Sequence, residues 1–295
     1  MQTGKRFPFL EMLLVFTDEY STSTGHAMTS TDPVESYYSG QGLAARIFSA
    51  LKQEGHSTDD LTPEILAPYD EFHVGGMAAT YRVADRLQVH KETRLLDIGC
   101  GAGGPARAVA ARYGCSVTGI DLTKDFIEAG GALSQACGLQ DKVSLHHGSA
   151  LDMPFANGTF DRAMLLHVGM NIPDKPALLR EAARVLAPGA AFCVYDMMRV
   201  GDGKLNFPLP WASDASVSAV ASPQFYIEAA EQAGFTLKAV RDETTAAAGF
   251  IEHILATKPE PAAGVTSDRF RNLVGHIESG VLAPTELMLR REGQE

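Results

Sequence analysis

The residues best suited to chemistry form a glycine turn flanked by two carboxylates. The apolar run LLDI (95–98) leads directly into GCGAGG (99–104). A glycine turn between a strand and a helix lets a ligand approach the backbone closely at the carboxyl end of a parallel sheet. The next apolar run ends in Asp121, 24 residues after Asp97 (121 − 97), which is one βαβ step. We therefore expect a ligand site at this edge of the sheet.

The two acids indicate what kind of ligand the turn binds. Gly99, Gly101 and Gly104 spell GxGxxG, which dinucleotide-binding folds share. Asp97, however, would repel a pyrophosphate and would favour a cationic group such as an ammonium. Asp121, at the tip of the second strand, is placed to accept hydrogen bonds from ribose hydroxyls. S-adenosylmethionine carries both an ammonium and an adenosine ribose, so it is the predicted cofactor.

The elements that position these residues alternate between short apolar runs and amphipathic segments. This rhythm predicts an α/β fold, Rossmann-like, with a seven-stranded mostly parallel sheet and helices on both faces. The predicted strands are Arg94–Ile98, Ser116–Ile120, Val143–His146, Arg162–Leu166, Ala191–Tyr195, Leu237–Arg241 and Glu286–Arg291. The predicted helices of this domain are Pro105–Tyr113, Thr123–Cys137, Pro176–Leu186 and Pro223–Ala233.

The sequence also predicts segments that cover the sheet. We expect a mobile N-terminal segment over 1–33, a helical N-terminal cover over 34–90 and an α/β domain over 91–295. Within the cover, 61–76 reads as a loop between helical patterns at 34–51 and 77–87. Two further segments, 197–221 and 243–284, are predicted to cover the substrate, the second as a helical insertion before the last strand. Met28 is an alternative natural start, which would make residues 1–27 an upstream extension.

Several motifs in register resemble the class I S-adenosylmethionine-dependent methyltransferases over about 80–291. The resemblance rests on LLDIGCGAGG (95–104), VTGIDLT (117–123), GSALDMPF (148–155), FDRAMLLH (160–167) and LLREAARVLAPGAAF (178–192). Within that superfamily the chain looks most like the small-molecule branch, which contains sarcosine/dimethylglycine, tocopherol and ubiquinone/menaquinone-type enzymes. The resemblance implies methyl transfer to a small-molecule acceptor, which would be an amine, a phenol or a quinone-like compound.

The resemblance also implies roles for individual residues around the cofactor. Asp97 would lie near the methionyl amino end, Asp121 would hold the ribose, and Leu122 would pack on the adenine. Many relatives have Asp where Ser149 stands, and in this chain Asp152 would partly replace that contact with the exocyclic amine. The full set of predicted cofactor-binding residues is Asp97, Gly99, Cys100, Gly101, Asp121, Leu122, Ser149, Ala150, Leu166 and His167.

Two histidines are candidate catalytic residues. Methyl transfer is an SN2 displacement with a good leaving group, so positioning can supply much of the catalysis, and a base is needed only for a protonated acceptor. His167 follows the fourth predicted strand, and its ordinary pKa near 6.5 suits proton removal; the alternative is a histidine that only contacts ligand or loop backbone. His73 lies in the run YDEFHVGG (69–76), read either as a lid over the cofactor or as a solvated linker.

Candidate substrate residues lie in the predicted loops. Tyr38, Asn171 and Trp211 are the predicted substrate contacts. A carboxylated amine would require basic residues, for which Arg199, Lys204 and Arg241 are available, whereas a flat aromatic or quinone-like acceptor would favour Phe207, Trp211 and Phe250. The sequence leaves this choice open.

Composition bounds the class of protein. The 295 residues include 25 Lys+Arg against 36 Asp+Glu, a net charge of −11, which disfavours nucleic-acid and membrane-surface partners. The four cysteines lack zinc-ligand spacing, so we expect no metal and a cytoplasmic chain with reduced thiols. No membrane span is predicted, and a homo-oligomer is left open. The rival functions are a catalytically silent S-adenosylmethionine-binding protein and, more remotely, a nicotinamide-dependent dehydrogenase.

Overall fold

Three helices precede the sheet in the part of the chain that the computed structural model describes, which is residues 42–58, 60–256 and 265–293. They are α1 (Leu43–Gln53), α2 (Pro63–Asp70) and α3 (Gly76–Arg86). Of the helical pattern predicted over 34–51, the structure describes α1. This helix begins at Leu43, after Gly42 in the left-handed conformation (φ 77°). The predicted segment 1–33, the alternative start at Met28 and the candidate substrate residue Tyr38 lie outside the described residues.

Helix α2 corrects the prediction of a loop over 61–76. Thr62 caps it by accepting a hydrogen bond from the Ile65 amide (3.4 Å), and Pro63 occupies its first turn. A polar cap followed by proline is a helix-start signal. Periodicity does not reveal this helix, because the helix is only 8 residues long and contains Pro68, which leaves too few positions for an apolar period.

The seven-stranded sheet is confirmed, and it places the glycine turn at the sheet's centre. Its strands are β1 (Arg94–Ile98), β2 (Ser116–Asp121), β3 (Val143–His147), β4 (Phe160–Leu166), β5 (Leu186–Arg199), β6 (Phe235–Asp242) and β7 (Leu282–Arg291). Their order is β3-β2-β1-β4-β5-β7-β6, with β7 antiparallel to both of its neighbours and the other pairings parallel. The carboxyl ends of β2, β1 and β4 therefore lie side by side.

Strand β5 is longer than the predicted run 191–195. It continues to Arg199 because its end pairs with the start of β7, where Arg199 faces Leu282. The first three residues of the predicted covering segment 197–221 are thus strand rather than loop.

Helices cover both faces of the sheet. They are α4 (Gly104–Tyr113), α5 (Lys124–Ala136), α6 (Lys175–Val185), α7 (Pro223–Gln232), α8 (Thr244–Ala256) and α9 (Val265–Glu278). Successive residues of β1 show the two-sided burial: Leu95 packs in a core with α3 and α4, whereas Leu96 packs in a core with α6 and α7. A strand buried on both faces is typical of a central parallel strand. The predicted helical insertion before the last strand corresponds to α8 and α9.

A buried ion pair fastens α2 to the helix that follows the glycine turn. Arg107 of α4 and Asp70 at the end of α2 form a salt bridge with side chains 0% and 1% exposed. Arg107 also donates to the Gly130 carbonyl and to Ser134 Oγ, both at 3.2 Å. Burial raises the pKa of Asp70 to about 6, and the charge of Arg107 opposes that rise. A Cβ on Gly104 would lie 2.3 Å from the Asp70 carbonyl oxygen, so only glycine admits this contact.

Replacement of Arg107 by Met should destabilise the fold strongly. The substitution leaves the buried Asp70 carboxyl without its partner, and breaking a buried pair in this way costs about 3–5 kcal/mol of unfolding free energy. Urea denaturation of both proteins measures the difference. Arg94→Ala is the matched control because the Arg94–Asp161 pair is half-exposed, and such pairs contribute less than about 1 kcal/mol. Equal losses in the two variants would contradict the assignment.

Candidate active site

A cavity of about 1090 Å³ opens at the carboxyl ends of β1, β2 and β4. The structure brings to it every predicted site residue except Tyr38, which lies outside the described residues. The predicted residues that line it are His73, Asp97, Gly99, Cys100, Gly101, Asp121, Leu122, Ser149, Ala150, Leu166, His167, Asn171 and Trp211. The sequence thus located one connected site, although it could not establish what each residue does there.

The glycine turn follows β1 with a backbone that other residues would strain. Gly99 has φ 74°, and a Cβ there would lie 2.3 Å from Val168 Cγ2. The amides of Gly99 and Cys100 both donate to the Ile120 carbonyl, at 2.8 and 3.1 Å, which ties the turn to β2. The turn is therefore rigid and approaches the loop after β4 closely.

Asp121 anchors the same turn from the end of β2. Its Oδ2 accepts a hydrogen bond from the Gly101 amide, and its Oδ1 accepts one from the Thr123 amide, both at 2.8 Å. Burial raises the pKa of this carboxyl, and the two amides oppose the rise. Each oxygen keeps a further lone pair for a ligand hydroxyl.

Asp97 is a buried carboxyl whose surroundings disfavour its charged form. Its side chain is 1% exposed, and Oδ2 has no hydrogen-bond partner within the described chain. Burial and the negative charge of Asp121 raise the pKa of Asp97 to about 8. A buried carboxyl without a partner is stabilised by a cation. A ligand ammonium beside a rigid glycine turn therefore fits the residues present.

His167 stands at the end of β4 in a strained backbone conformation. Its φ is 55°, its amide donates to the Tyr195 carbonyl (2.7 Å), and its ring packs edge-on against the Tyr195 ring (4.8 Å between centroids). Its Nε2 is buried without a hydrogen-bond partner among the described residues. Burial and His73 lower the pKa of His167 well below 6.5, so the imidazole is neutral at pH 7.

His73 faces His167 from the segment that follows α2. The two ring centroids are 6.1 Å apart. His73 Nδ1 lies 3.4 Å from Glu71 Oε2, and Nε2 lies 3.3 Å from Thr80 Oγ1. Burial lowers the pKa of His73 to about 4, and burial raises the pKa of Glu71 well above its ordinary value. Two neutral imidazoles therefore border the cavity.

The far end of the cavity is apolar. Trp211 is 4% exposed, and its Nε1 donates to Ser218 Oγ (3.3 Å). Helix α9 holds the loop that carries this tryptophan, because Arg269 donates to the Leu209 carbonyl (2.5 Å) and Asn272 to the Pro208 carbonyl (3.0 Å). The cavity-lining side chains that pack in one apolar cluster with Trp211 are Val74, Met170, Met197, Val217, Val220, Phe250 and Leu273.

Of the residues that would separate a carboxylated amine from a flat aromatic acceptor, only aromatic ones line the cavity. Trp211 and Phe250 line it, while Phe207 does not. The basic candidates Arg199, Lys204 and Arg241 are not among the lining residues. Arg199 donates to the Gly203 carbonyl (2.5 Å), and Arg241 pairs with Glu286 (3.2 Å).

Lys175 is a lining residue that no sequence pattern singles out. It is 1% exposed at the first position of α6. A lysine between a polar cap and a proline at a helix start is typical of solvated surface, so no local signal marks it as buried. Only the tertiary structure, which folds two loops over it, distinguishes it.

Within the described residues, no three His, Cys, Asp or Glu side chains cluster in a way that could hold a metal ion. No helix of that part of the chain is long and apolar enough to cross a membrane.

Comparison with protein families confirms the resemblance over the centre of the chain. Residues 96–194 match the model of a methyltransferase domain. This span contains the glycine turn, Asp121 and His167. The predicted resemblance to class I methyltransferases therefore holds for this domain.

Curated relatives match only part of their own length. A probable chloroplastic tocopherol O-methyltransferase of Oryza sativa subsp. japonica is 42% identical over 104 residues, covering 35% of this chain and 29% of the relative. Methyltransferase GfsG of Streptomyces halstedii is 32% identical over 129 residues, 44% and 46% of the two chains. The glycine/sarcosine/dimethylglycine N-methyltransferase of Actinopolyspora halophila is 24% identical, covering 72% and 38%. The chain thus spans less than half the length of these relatives.

Solved structures agree with the fold over most of the chain. A geranyl diphosphate C-methyltransferase from Streptomyces coelicolor A3(2), solved with Mg²⁺, geranyl-S-thiolodiphosphate and S-adenosyl-L-homocysteine, superposes with a TM-score of 0.66 at 18% identity, covering 90% of this chain and 100% of that one. The [4+2]-cyclase SpnF superposes with a TM-score of 0.62 at 21% identity, covering 74% and 81%. Because the second is named a cyclase, the fold alone does not fix the reaction.

Binding of S-adenosylmethionine should release a proton from Asp97. With a pKa of about 8 in the free protein, Asp97 is mostly protonated at pH 6.5, and an ammonium beside it would lower that pKa. We expect about one proton released per site at pH 6.5 and an affinity that rises with pH up to about 8. Calorimetric titration in two buffers of different ionisation enthalpy measures the release.

Asp97→Asn is the matched variant for this prediction. It keeps the shape of the side chain and removes its titration, so both the proton release and part of the affinity should be lost. Proton release that persists in Asp97→Asn would assign the linkage to another group.

Proposed function

We propose that this chain transfers the methyl group of S-adenosylmethionine to a largely apolar acceptor that presents a hydroxyl, such as a phenol or hydroquinone. The observation that carries the proposal is one cavity lined both by an acidic glycine turn and by an apolar aromatic cluster, with His167 on its wall. The Nε2 atom of His167 has no hydrogen-bond partner in the described chain. The cofactor would supply an electrophilic methyl group on a sulfonium.

The acidic end supports binding of the cofactor. The unpartnered carboxyl of Asp97 suits the methionyl ammonium, and Asp121 retains lone pairs for the ribose hydroxyls while it holds the turn. Leu122, Ser149 and Ala150 would border the adenine. A dinucleotide would instead bring its pyrophosphate against Asp97, which is unfavourable in a buried site.

The apolar end supports an acceptor without a strong negative charge. Lys175 is the one cationic side chain among the cavity-lining residues of the described chain, and its Nζ lies within 2.7 Å of three carbonyl oxygens. An ammonium has three donors, so none remains for a carboxylate or phosphate. Aromatic and aliphatic walls instead favour a flat apolar body.

The two histidines support an acceptor that carries a hydroxyl. A neutral imidazole accepts a hydrogen bond from an acceptor O–H and takes the proton as the oxygen–methyl bond forms. His167 Nε2 is free to do so, and His73 lies beside it. The Tyr195 ring packs edge-on against the His167 ring, and the hydrogen bond from the His167 amide to the Tyr195 carbonyl holds the His167 backbone. The imidazole therefore needs little motion to reach the reactive geometry.

The experiment is a calorimetric titration with S-adenosylmethionine and S-adenosylhomocysteine, followed by an acceptor panel. Binding of both and methylation of phenols or hydroquinones, with little turnover of carboxylated amines, supports the proposal. Preferred methylation of amines would overturn the acceptor class, and binding without any turnover would favour a silent binding protein. If the protein bound NADH and neither of these two ligands, the glycine turn would be a dinucleotide-binding site instead.

His167→Asn should lower kcat while leaving cofactor affinity nearly unchanged. Asparagine tolerates the left-handed backbone of this position better than alanine does, so the variant removes the imidazole without adding strain. We expect kcat to fall about 100-fold, the usual contribution of a positioned base, with the calorimetric Kd for S-adenosylmethionine within about threefold. His90→Ala, at an exposed histidine, is the control. Equal losses of kcat and affinity would make His167 a binding residue only.

A further inference from the structure

Lys175 occupies a position that is electrostatically unfavourable for a lysine. It is the first residue of α6, where the helix dipole is positive, and it is 1% exposed. A buried ammonium survives only with compensating partners. The reason for burying this lysine must therefore lie in what it contacts.

Its ammonium contacts two separate loops. The β4 loop (167–173) provides the Gly169 carbonyl at 2.7 Å and the Ile172 carbonyl at 2.5 Å. The β5 loop (200–222) provides the Ala219 carbonyl at 2.7 Å. All three N–H donors of the ammonium are thus used. They connect Ala219 with Lys175, 44 positions earlier (219 − 175), and with Gly169, 50 positions earlier (219 − 169).

A carboxylate and an aromatic ring compensate the buried charge. Asp196, 0% exposed at the end of β5, opposes the lowering of the Lys175 pKa to about 8 that burial causes. The Tyr226 ring lies 5.2 Å from Nζ, and its hydroxyl donates to Asp196 Oδ2 at 2.6 Å. A Cβ on Gly169 would lie 2.2 Å from that hydroxyl, so the β4 loop packs directly on this unit.

Both loops form the wall of the acceptor end. Met170, Asn171 and Ile172 line the cavity from the β4 loop, and Trp211 with 216–221 lines it from the β5 loop. One backbone hydrogen bond, from the Ala219 amide to the Met170 carbonyl (2.7 Å), joins the loops directly. The Lys175 ammonium supplies the remaining polar links described between them.

We infer that Lys175 is a positioning residue for the acceptor: its ammonium clamps the β4 loop to the β5 loop and so sets the shape of the acceptor end of the cavity. The inference rests on the proposed function for its kinetic consequence, while the clamp itself is independent of it. The cofactor end does not depend on Lys175, because Asp97, Asp121 and the glycine turn are held by contacts with β1 and β2.

Lys175→Met tests the clamp because methionine has a similar length and no charge. In protein saturated with S-adenosylhomocysteine, we expect hydrogen exchange at the Ile172 and Ala219 amides to accelerate at least tenfold, while the Gly101 amide keeps its protection. Lys124→Met is the matched control, since Lys124 is also the first residue of a helix after a strand but is 65% exposed and pairs only with Glu128. Unchanged exchange in Lys175→Met would overturn the clamp.

The kinetic arm separates a positioning role from general damage. We expect Lys175→Met to raise the KM of the acceptor at least tenfold, with kcat lowered less and the Kd of S-adenosylmethionine within twofold. Lys175→Ala should regain part of its acceptor affinity in the presence of methylammonium, which restores a cation to the clamp. Loss of cofactor affinity in parallel, or failure of rescue with unchanged exchange, would overturn the inference. If no acceptor is methylated, the proposed function fails, and the exchange experiment still decides the clamp.

Discussion

The buried carboxyl of Asp97, unpartnered in the described chain, is the constraint around which the cofactor end is built. Leaving such a group without a partner costs about 1–3 kcal/mol even when it is neutral, and ionising it costs more. Asp97 is kept buried because β1 is flanked by β2 and β4 and both of its faces are covered by helices. Parallel pairing brings Asp121 and His167 to the same edge. The cost at Asp97 is therefore offset only when a cationic ligand fills the space next to it.

The helical cover makes Asp97 depend more strongly on a cationic ligand. Helix α2 ends in Asp70, whose pair with Arg107 fixes it over α4, and the residues that follow it, Glu71 and His73, are buried beside the turn. Removing water there lowers the local dielectric, which raises the cost of ionising any carboxyl and strengthens its attraction to a bound cation. The same exclusion keeps both imidazoles neutral, and it leaves the Nε2 of His167, unpartnered among the described residues, to form a hydrogen bond with a ligand. Cover, carboxyl and histidines thus act as one electrostatic unit.

The sequence predicted the features that depend on local patterns. Strand periodicity, the glycine turn and the acid that ends β2 are each encoded within a few residues, so all seven strands and the turn were located, although β5 and β7 extend beyond their predicted runs. Helix α2 was missed because a short helix containing Pro68 has no detectable period. The insertion of β7 between β5 and β6, and the burial of Lys175, depend on pairings between residues distant in the chain. Such contacts leave no local signal, because a lysine at a helix start looks the same whether loops cover it or solvent does.

The division of the site between two kinds of residue explains why the relatives do not determine the acceptor. The matched span 96–194 contains the glycine turn and Asp121 at the cofactor end, together with His167 and the β4 loop's share of the acceptor wall. Most of the acceptor wall, including Trp211, 216–221, Phe250 and Leu273, lies beyond residue 194. Relatives whose names differ as much as a tocopherol O-methyltransferase and a glycine/sarcosine/dimethylglycine N-methyltransferase both match this chain. In this chain the β5 loop and the helical insertion, which follow the matched span, present an apolar wall to the cavity, so a match to the span carries no information on that wall.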